Sequence, residues 1–364
     1  MRLLILLLPF CLFSCSNQQK QAPDQLRAQA KELPTTSLED AGFNRDSIEQ
    51  LLELIQTTSR KDFRGLVVIK DNHIVLEEYY NTFWRNTIHD IRSAGKSVTA
   101  MLLGIAMKDG LVENLDQNVY SFFPENKYSS IDEGYKEIKL RHLLSMSSGL
   151  DADTNRPETP GQAGNWIAKD DWKAYLLNVP LSAPPGKTWV YADINAVLIG
   201  AIIEEVSGMS LRDYAQQKLF GPLGIEQVYW YTNAADQTGA AGNLYITTLD
   251  FAKLGLLVAN EGNWNDIQLI DPAYVKTLVE SKDLELPDNS TPFADAYGMF
   301  WYKSKRTFGE KSINYIAAFG NGGNQLIVVP DLEIVIALTS SAYGQGYADG
   351  RSYAIMSGIL ASLE

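Results

Sequence analysis

The order of strand-like and helix-like patterns constrains the fold of this 364-residue chain more than any other feature. Two β-rich runs, 66–70 and 74–79, are joined at Asp71-Asn72 and predict an N-terminal hairpin. Further β-rich runs lie near the C-terminus, at 300–303, 314–319, 325–329 and 334–338. Strands at both ends of one chain predict an antiparallel sheet that the C-terminal half completes.

Helical periodicity fills the chain between these strands and also flanks them. An amphipathic helix is predicted at 46–57, and a final helix at 353–363. The helices predicted between the two groups of strands are 98–107, 139–146, 172–177, 196–206, 211–218 and 249–259. The pattern therefore predicts an α+β domain at 37–364, with terminal helices packed on the sheet and a mainly helical sub-domain inserted at about 95–290.

Residues 1–14 have the pattern of a signal peptide of the lipoprotein type. Arg2 precedes an apolar run at 3–13 that is too short to span a bilayer. The tetrapeptide 12–15 resembles the bacterial lipobox, so we expect lipidation of Cys15 and a membrane partner in a bacterial cell envelope, at the periplasm or cell surface. An ordinary secretory signal is the alternative. Residues 15–36, rich in Gln, Ala and charge, are predicted to form a flexible tether.

The composition excludes several classes of function. The formal net charge is −13 and no basic stripe is present, which argues against a nucleic-acid partner because nothing would neutralise phosphates. The three histidines form no His-Glu-x-x-His motif, the cysteines do not cluster, and no Gly-x-Ser-x-Gly elbow pairs a serine with a histidine. No metal and no cofactor are therefore predicted, and the oligomeric state stays open.

The most informative short motif is Ser93-Ala94-Gly95-Lys96, just before the predicted 98–107 helix. If Ser93 were only a helix cap, a capping box would place Glu or Gln where Lys96 stands. A lysine in the first turn opposes the helix dipole, and the helix behind it is apolar almost all round. A cation at the buried start of a buried helix breaks a local rule, which favours a functional role.

The chemistry of a nucleophilic serine explains this arrangement. Residues three apart share one helical face, which places the Lys96 ammonium beside the Ser93 hydroxyl. Burial lowers the pKa of a lysine, and this would let Lys96 accept the serine proton. The amino end of the helix also stabilises negative charge that develops on the serine or on the substrate oxygen. Ser93 is therefore the predicted nucleophile and Lys96 its proton-handling partner.

The segment 88–124, which contains this motif, resembles the serine β-lactamase-like hydrolases. This family includes class C β-lactamases, D-alanyl-D-alanine carboxypeptidases, related esterases and the 6-aminohexanoate-dimer hydrolase. Further blocks resemble the family, in the family's order, at 138–150, 184–200, 242–262 and 317–330. The resemblance covers 37–364 and implies a β-lactamase/transpeptidase-like fold.

The resemblance implies roles for a second motif, usually Tyr-x-Asn, which here is Tyr191-Ala192-Asp193. In the family this tyrosine shuttles the proton to the leaving group, so Tyr191 is the predicted acid and base. A core tyrosine with a bonded hydroxyl is the alternative. If the carboxylate of Asp193 approaches Lys96, it raises the lysine pKa and shifts the base role toward Tyr191. Asn195 is a second candidate for the amide that Asp193 replaces.

A third motif, usually Lys-Thr-Gly or His-Thr-Gly on a strand beside the site, aligns with the tripeptide 318–320, whose first residue is alanine. The cationic or imidazole side chain is absent, which argues against efficient penicillin turnover. The resemblance implies an oxyanion hole made by the N–H groups of Ser93 and Asn321. Gly320 and Gly322 are expected to form a tight turn at the edge of the site, in its substrate-binding or proton network.

These observations predict an exported serine hydrolase that cleaves an ester or amide bond of a small molecule or peptide through an acyl-enzyme on Ser93. D,D-peptidase or β-lactamase activity is the enzymatic alternative. The non-enzymatic alternative is an inactive relative that binds cell-wall or peptide ligands, because Asp193 and Ala318 replace usual family residues. The loop at 151–164 is expected over the pocket. Aromatic residues that could line the pocket are Trp166, Trp172, Trp230, Trp301 and Tyr302.

Overall fold

The structure of the protein is a computed structural model that describes residues 32–128, 130–281, 284–288 and 290–364. Its strands are β1 (Phe63–Lys70), β2 (His73–Tyr79), β3 (His89–Asp90), β4 (Tyr229–Trp230), β5 (Leu244–Ile246), β6 (Asn263–Trp264), β7 (Ile267–Gln268), β8 (Leu284–Glu285), β9 (Ala296–Gly298), β10 (Trp301–Phe308), β11 (Lys311–Gly320), β12 (Asn324–Val329) and β13 (Ile334–Ser340). Its α-helices are α1 (Arg45–Thr57), α2 (Gly95–Lys108), α3 (Leu140–Leu144), α4 (Ala163–Trp166), α5 (Trp172–Leu176), α6 (Asp193–Ser207), α7 (Leu211–Ala215), α8 (Thr248–Ala259), α9 (Pro272–Glu280) and α10 (Ala348–Ala361).

An antiparallel sheet of eight strands forms the centre of the molecule, in the order β2-β1-β13-β12-β11-β10-β9-β8. The N-terminal hairpin joins the C-terminal strands through β1 and β13, where Val67 lies opposite Ala337. This confirms the predicted sheet, to which both ends of the chain contribute. The small sheet β3-β5-β4 and the hairpin β6-β7 lie apart from it.

The two faces of the large sheet bury different sets of side chains, because successive residues of a strand point to opposite sides. In β13, Ile334 and Ile336 belong to an outer core with the terminal helices α1 and α10, whereas Val335 and Ala337 belong to an inner core. The inner core contains residues of α2, α6 and α8. The α+β arrangement with terminal helices on the sheet is therefore confirmed.

The inserted region is less regular than its helical pattern predicts. Helix α3 spans Leu140–Leu144 rather than 139–146, since Met146 adopts a left-handed φ of 56° that an α-helix cannot continue. Helix α7 continues as a π-helical turn, Gln216–Phe220. The strands β3 to β9 were not predicted, because segments of two or three residues are too short to show a period.

Helix α9 was also not predicted, although its first turn contains a start signal. Pro272 occupies the first turn, and the Asp271 side chain caps the helix by accepting the N–H of Ala273 at 2.7 Å.

Among the helices of the described residues, no single one is long and apolar enough to cross a bilayer; only the bent pair Asp193–Ser207 with Leu211–Phe220 meets the requirement, by length and composition alone.

The N-terminal predictions lie mostly outside the described residues. These include the signal peptide at 1–14, the lipidation site Cys15 and most of the tether at 15–36. The last tether residues are ordered, because Thr35 forms a bridge with Ile74 at the edge of the sheet.

Candidate active site

Ser93 lies in a 3₁₀ turn, Arg92–Ala94, between strand β3 and helix α2. Arg92 has a backbone φ of 54°, in the left-handed region that residues other than glycine rarely adopt. The Asp90 carboxylate accepts the N–H of Arg92 at 2.8 Å and faces its guanidinium Nε at 3.1 Å. These contacts hold the strained residue in place, and its conformation determines where the Ser93 side chain projects.

A partly buried network of rings supports this turn from behind. The guanidinium of Arg92 lies 4.2 Å from the ring centroid of Tyr343, whose hydroxyl donates to the carbonyl oxygen of Asp90 at 3.1 Å. The Nε2 of His89 lies 3.1 Å from that hydroxyl and 3.0 Å from the carbonyl oxygen of Ser340. Burial lowers the pKa of His89 to about 4, so the imidazole is neutral at pH 7 and donates to Ser340.

Lys96 is enclosed in the first turn of α2, with 1% of its surface exposed. Its ammonium donates to Ser93 Oγ at 3.0 Å and to the carbonyl oxygen of Ala241 at 2.8 Å. Its third neighbour is Asp193, whose Oδ1 lies 2.7 Å from Nζ. These three contacts account for all three N–H groups of the ammonium.

The charge of Lys96 differs from the expectation drawn from burial alone. Burial lowers the pKa of this lysine, but the carboxylate of Asp193 and the phenol of Tyr191 more than offset that effect, so the pKa is raised. Lys96 is therefore held as an ammonium in the resting site. This is the case anticipated for Asp193, and it leaves the base role to another group.

Tyr191 lies beside Lys96, as the second motif implies. The ammonium Nζ is 5.0 Å from the centroid of the Tyr191 ring. The backbone of the segment is held at two points, because the N–H of Thr154 donates to the carbonyl oxygen of Tyr191 at 3.0 Å and the N–H of Val190 donates to that of Met146 at 2.8 Å. The left-handed turn at Met146 thus helps to position the tyrosine.

Asn195 does not replace the family's amide at the site. Its Nδ2 lies 3.2 Å from Met146 Sδ and 3.3 Å from the carbonyl oxygen of Ala192, in the buried interior of α6. Within the described residues, its side chain contacts neither Ser93 nor Lys96 through a hydrogen bond. Asp193 and Asn195 are two residues apart, which is about half a turn of helix. They therefore lie on different faces of α6, and only the aspartate at the helix start faces the lysine.

Gly320 and Gly322 allow close backbone contacts at the turn between β11 and β12. A Cβ on Gly320 would collide with the carbonyl oxygen of Ile91, directly before the nucleophile turn. Gly322 has a φ of 93°, and a Cβ there would lie 2.7 Å from Cδ1 of Tyr343. Both glycines are therefore required by packing, and the segment is the tight turn that the sequence predicts.

Asn321 lies in this turn and shares both cavities of the site with Ser93. Its side-chain oxygen accepts the N–H of Gly344 at 2.8 Å, and its carbonyl oxygen accepts Nδ2 of Asn324 at 3.0 Å. Across the described residues, the backbone N–H groups of Ser93 and Asn321 have no backbone acceptor. They are therefore available to a substrate oxygen, as the oxyanion-hole assignment requires.

Two cavities meet at the nucleophile. A narrow cavity of about 220 Å³ and a wide cavity of about 510 Å³ both include Ser93 and Asn321 in their walls. The narrow cavity has apolar side chains on its wall, Ala163, Trp166, Ile167, Trp172 and Val197, and the charged Arg92 and Asp193 also line it. The wide cavity is lined by Tyr191 together with Asp153, Thr154, Asn155, Trp189, Tyr302, Phe319 and Asp349.

The loop at 151–164 contributes to both cavities, as expected for a segment over the pocket. Of the aromatic residues considered, Trp166 and Trp172 line the narrow cavity and Tyr302 lines the wide one. Trp230 and Trp301 are at most 1% exposed and belong to the core. Ala318, which replaces the family cation, is also buried in the core.

Two parts of the site were not anticipated from the sequence. The carbonyl oxygen of Ala241 reaches Lys96 because two glycine backbones meet there: a Cβ on Gly95 would lie 3.3 Å from Cα of Gly242. The second part is the ion pair between Asp90 and Arg92, which the sequence did not predict. Gly242 and the charged residues before Ser93 were visible in the sequence, but no spacing rule relates them to the serine.

The arrangement defines a class of protein. A reachable serine hydroxyl, an enclosed ammonium beside it, an adjacent phenol and two free backbone N–H groups are the parts of a serine hydrolase that forms an acyl-enzyme. The Beta-lactamase family matches residues 46–358 of the chain. The chain belongs to this family and has its β-lactamase/transpeptidase-like fold.

A curated relative of Escherichia coli O157:H7, named "Putative D-alanyl-D-alanine carboxypeptidase", is 26% identical over 215 residues, which are 53% of this chain and 49% of the relative. The chain thus spans about half the length of the curated relatives it matches. A solved structure named "Putative 6-aminohexanoate-dimer hydrolase from Bacillus anthracis" has a TM-score of 0.71 at 18% identity and covers 91% of this chain and 87% of that one. A penicillin-binding protein homologue from Caulobacter crescentus has a TM-score of 0.69 at 18% identity, with coverage of 87% and 97%.

Proposed function

We propose that this protein hydrolyses an ester or amide bond of a small molecule or peptide through an acyl-enzyme on Ser93. The observation that carries the proposal is the 3.0 Å contact between Ser93 Oγ and Lys96 Nζ at the junction of two cavities. Ser93 is partly exposed whereas Lys96 is buried, so the hydroxyl is the group that a substrate reaches.

In the proposed reaction, Ser93 Oγ attacks the carbonyl carbon of the substrate. The serine proton passes to the oxygen of Tyr191 as the tyrosine gives its own proton to the leaving alcohol or amine. The carbonyl oxygen becomes negative and accepts the N–H groups of Ser93 and Asn321. Water then repeats the sequence on the acyl-enzyme and releases the acid.

Lys96 acts in this scheme as a fixed cation rather than as a base. Its ammonium, paired with Asp193 at 2.7 Å, stabilises negative charge on Ser93 Oγ and on the Tyr191 oxygen while the proton is in transit. Because the three N–H groups already have acceptors, the cation needs no rearrangement during the reaction.

Intact-mass spectrometry after reaction with a fluorophosphonate or an activated ester tests the proposal. We expect one adduct on the wild-type chain and none on Ser93→Ala. Folding of both proteins is checked by circular dichroism. A folded wild-type protein that acquires no adduct would contradict the proposal and favour an inactive, ligand-binding relative.

D,D-peptidase or β-lactamase activity is a second candidate, supported by the name of the curated relatives. It is less favoured because Ala318 stands where the family places a cation or imidazole. Mass spectrometry with penicillin separates the two, since a stable penicilloyl adduct on Ser93 that is released slowly would favour the peptidase.

We also propose that Cys15 carries a lipid that anchors the protein in a bacterial cell envelope, with 15–36 as the tether. The support is the sequence pattern at 1–15. Replacement of Cys15 by Ser should move the protein from the membrane fraction to the soluble fraction. Unchanged membrane partition would contradict the lipid anchor.

A further inference from the structure

The wide cavity beside the nucleophile combines aromatic rings with carboxylates. Trp189, Tyr302 and Phe319 line it, and the rings of Tyr302 and Phe319 stack with centroids 4.7 Å apart. Asp153 and Asp349 belong to the same wall. Aromatic faces and carboxylates are both attractive to a cation, the first through the ring quadrupole and the second through charge.

The carboxylates of this wall form no direct ion pair with a cation of the described residues. Asp153 accepts the N–H of Asn155 at 2.8 Å. Arg156, three residues further along the chain, pairs with Glu158 at 2.8 Å; Glu158 is the main cause of the raised pKa of Arg156, and the charge of Asp153 adds to it from a greater distance. Asp349 is exposed in the first turn of α10. Among the described ion pairs, none contains Asp153 or Asp349, so both charges act on whatever fills the cavity.

Positive side chains are missing from the described wall of the cavity, which contains no Lys, Arg or His. The ammonium of Lys96 lies next to it but already serves Ser93, Asp193 and the Ala241 carbonyl. A substrate carboxylate in this cavity would meet negative charge without a counter-ion. A substrate cation would meet two carboxylates and several aromatic rings.

We infer that the wide cavity selects substrates that carry a positive charge, an amine or a quaternary ammonium, on the part of the molecule that enters it. This inference rests on the proposed hydrolysis at Ser93 and names its substrate class. The net charge of −13 acts in the same direction, because it raises the local concentration of cations.

Two series of esters test the inference, one for each side of the scissile bond. In the first, para-nitrophenyl esters have acyl chains of equal length that end in trimethylammonium, tert-butyl or carboxylate. In the second, the same end groups are placed on the alcohol of acetate esters, with acid release as the readout. The trimethylammonium and tert-butyl groups have nearly the same shape, so their ratio isolates charge.

In the series whose charged end enters the wide cavity, we expect kcat/KM for the cationic ester to exceed that of the tert-butyl ester about tenfold, equivalent to about 1.4 kcal/mol. The carboxylate ester should be the poorest. The cationic preference should decrease as salt is added, because the carboxylates are accessible to solvent ions.

Variants connect the preference to the cavity. The double substitution Asp153→Asn with Asp349→Asn should reduce the cationic-to-neutral ratio about tenfold. Asparagine at 153 retains an oxygen that can accept the N–H of Asn155. Glu310→Gln is the control, because it removes one exposed acid from the turn between β10 and β11, at the other end of β11 from Gly320 and outside the cavity, and it should leave the ratio unchanged.

Equal kcat/KM for the cationic and tert-butyl esters in both series would overturn the inference, as would an unchanged ratio in the double variant. Failure of the proposed function would give a different result. In that case the wild-type protein and Ser93→Ala would show the same lack of activity toward the tert-butyl esters. Cleavage of neutral esters without a cationic preference refutes only the substrate class.

Discussion

The two faces of the central sheet bury different chemistry. The outer face, under α1 and α10, is packed with large apolar side chains such as Phe43, Ile48 and Met356, each at most 1% exposed. The inner side carries the buried ions Lys96 and Asp90, at 1% and 3% exposed. Apolar burial stabilises without requiring direction, whereas a buried ion is tolerated only with fixed partners.

The difference separates stability from chemistry within one domain. On the outer face any well-packed apolar set of similar volume would serve. On the inner face the partners are specific atoms: Ser93 Oγ, the Ala241 carbonyl and the Asp193 carboxylate around one ammonium. Substitutions on the two faces should therefore have separable effects on unfolding and on catalysis.

The largest expected effect concerns the inner face. Ser93→Ala should reduce kcat/KM for an activated ester by about four orders of magnitude, because no other nucleophile lies in the same position. Its melting temperature should stay close to that of the wild type. Ser97→Ala, one turn along α2, is the matched control: it loses a buried bond to the Phe300 carbonyl, at 2.7 Å, but should retain activity. Equal activity of the two variants would remove Ser93 from the mechanism.

The outer face should show the opposite behaviour. Phe43→Ala removes a ring that is 1% exposed and should lower the free energy of unfolding by about 3–5 kcal/mol, measured by urea denaturation. The kcat of the folded fraction should not change. Phe43→Leu, which keeps most of the volume, should cost less than half as much. A large loss of kcat in the folded Phe43→Ala protein would show that the faces are coupled.

Asp193→Asn tests the charge of Lys96. Removing the carboxylate removes the largest of the effects that oppose burial, so the pKa of Lys96 should fall, and kcat/KM at neutral pH should drop by about a hundredfold. In the wild type the pKa of Lys96 is raised above the ordinary lysine value, so the ammonium loses its proton only at a correspondingly high pH. The alkaline limb of the kcat/KM profile should therefore move to lower pH in the variant. Asp213→Asn, on an exposed surface, should leave the limb in place. An unmoved limb in Asp193→Asn would mean that Lys96 is not the titrating group.

The smallest expected effect concerns the ring network behind the nucleophile. The pKa of His89 is lowered from 6.5 to about 4 by burial, so the unfolded chain binds more protons between these values. Stability should therefore fall as the pH falls through this window, by about 2 kcal/mol from pH 6.5 to 5. His89→Gln should abolish this component, whereas His73→Gln, on the strand β2, should retain it. Equal pH dependence in all three proteins would contradict the assignment to His89.

Much of the fold could be predicted because its long elements have a clear residue pattern. The long strands β1 and β13 are runs rich in Val and Ile that are buried on both faces, and α2 is a longer run that is apolar almost all round. Elements of two or three residues, such as β3 and β5, could not be predicted, since pairing with remote strands rather than local pattern creates them. The site residues that the sequence predicted are those in a family motif, such as Tyr191, and Lys96, whose charge at the buried start of a helix breaks a local rule.

The sequence by itself determined the nucleophile motif, the second-motif tyrosine and the aspartate after it, because residue type and spacing along the chain are local information. Only the tertiary structure decided the charge of Lys96. That charge depends on the 2.7 Å approach of Asp193 and on the Ala241 carbonyl, which lies 145 residues away in the chain. Electrostatic energy depends on distance in space and on burial, and neither can be read from position in the sequence.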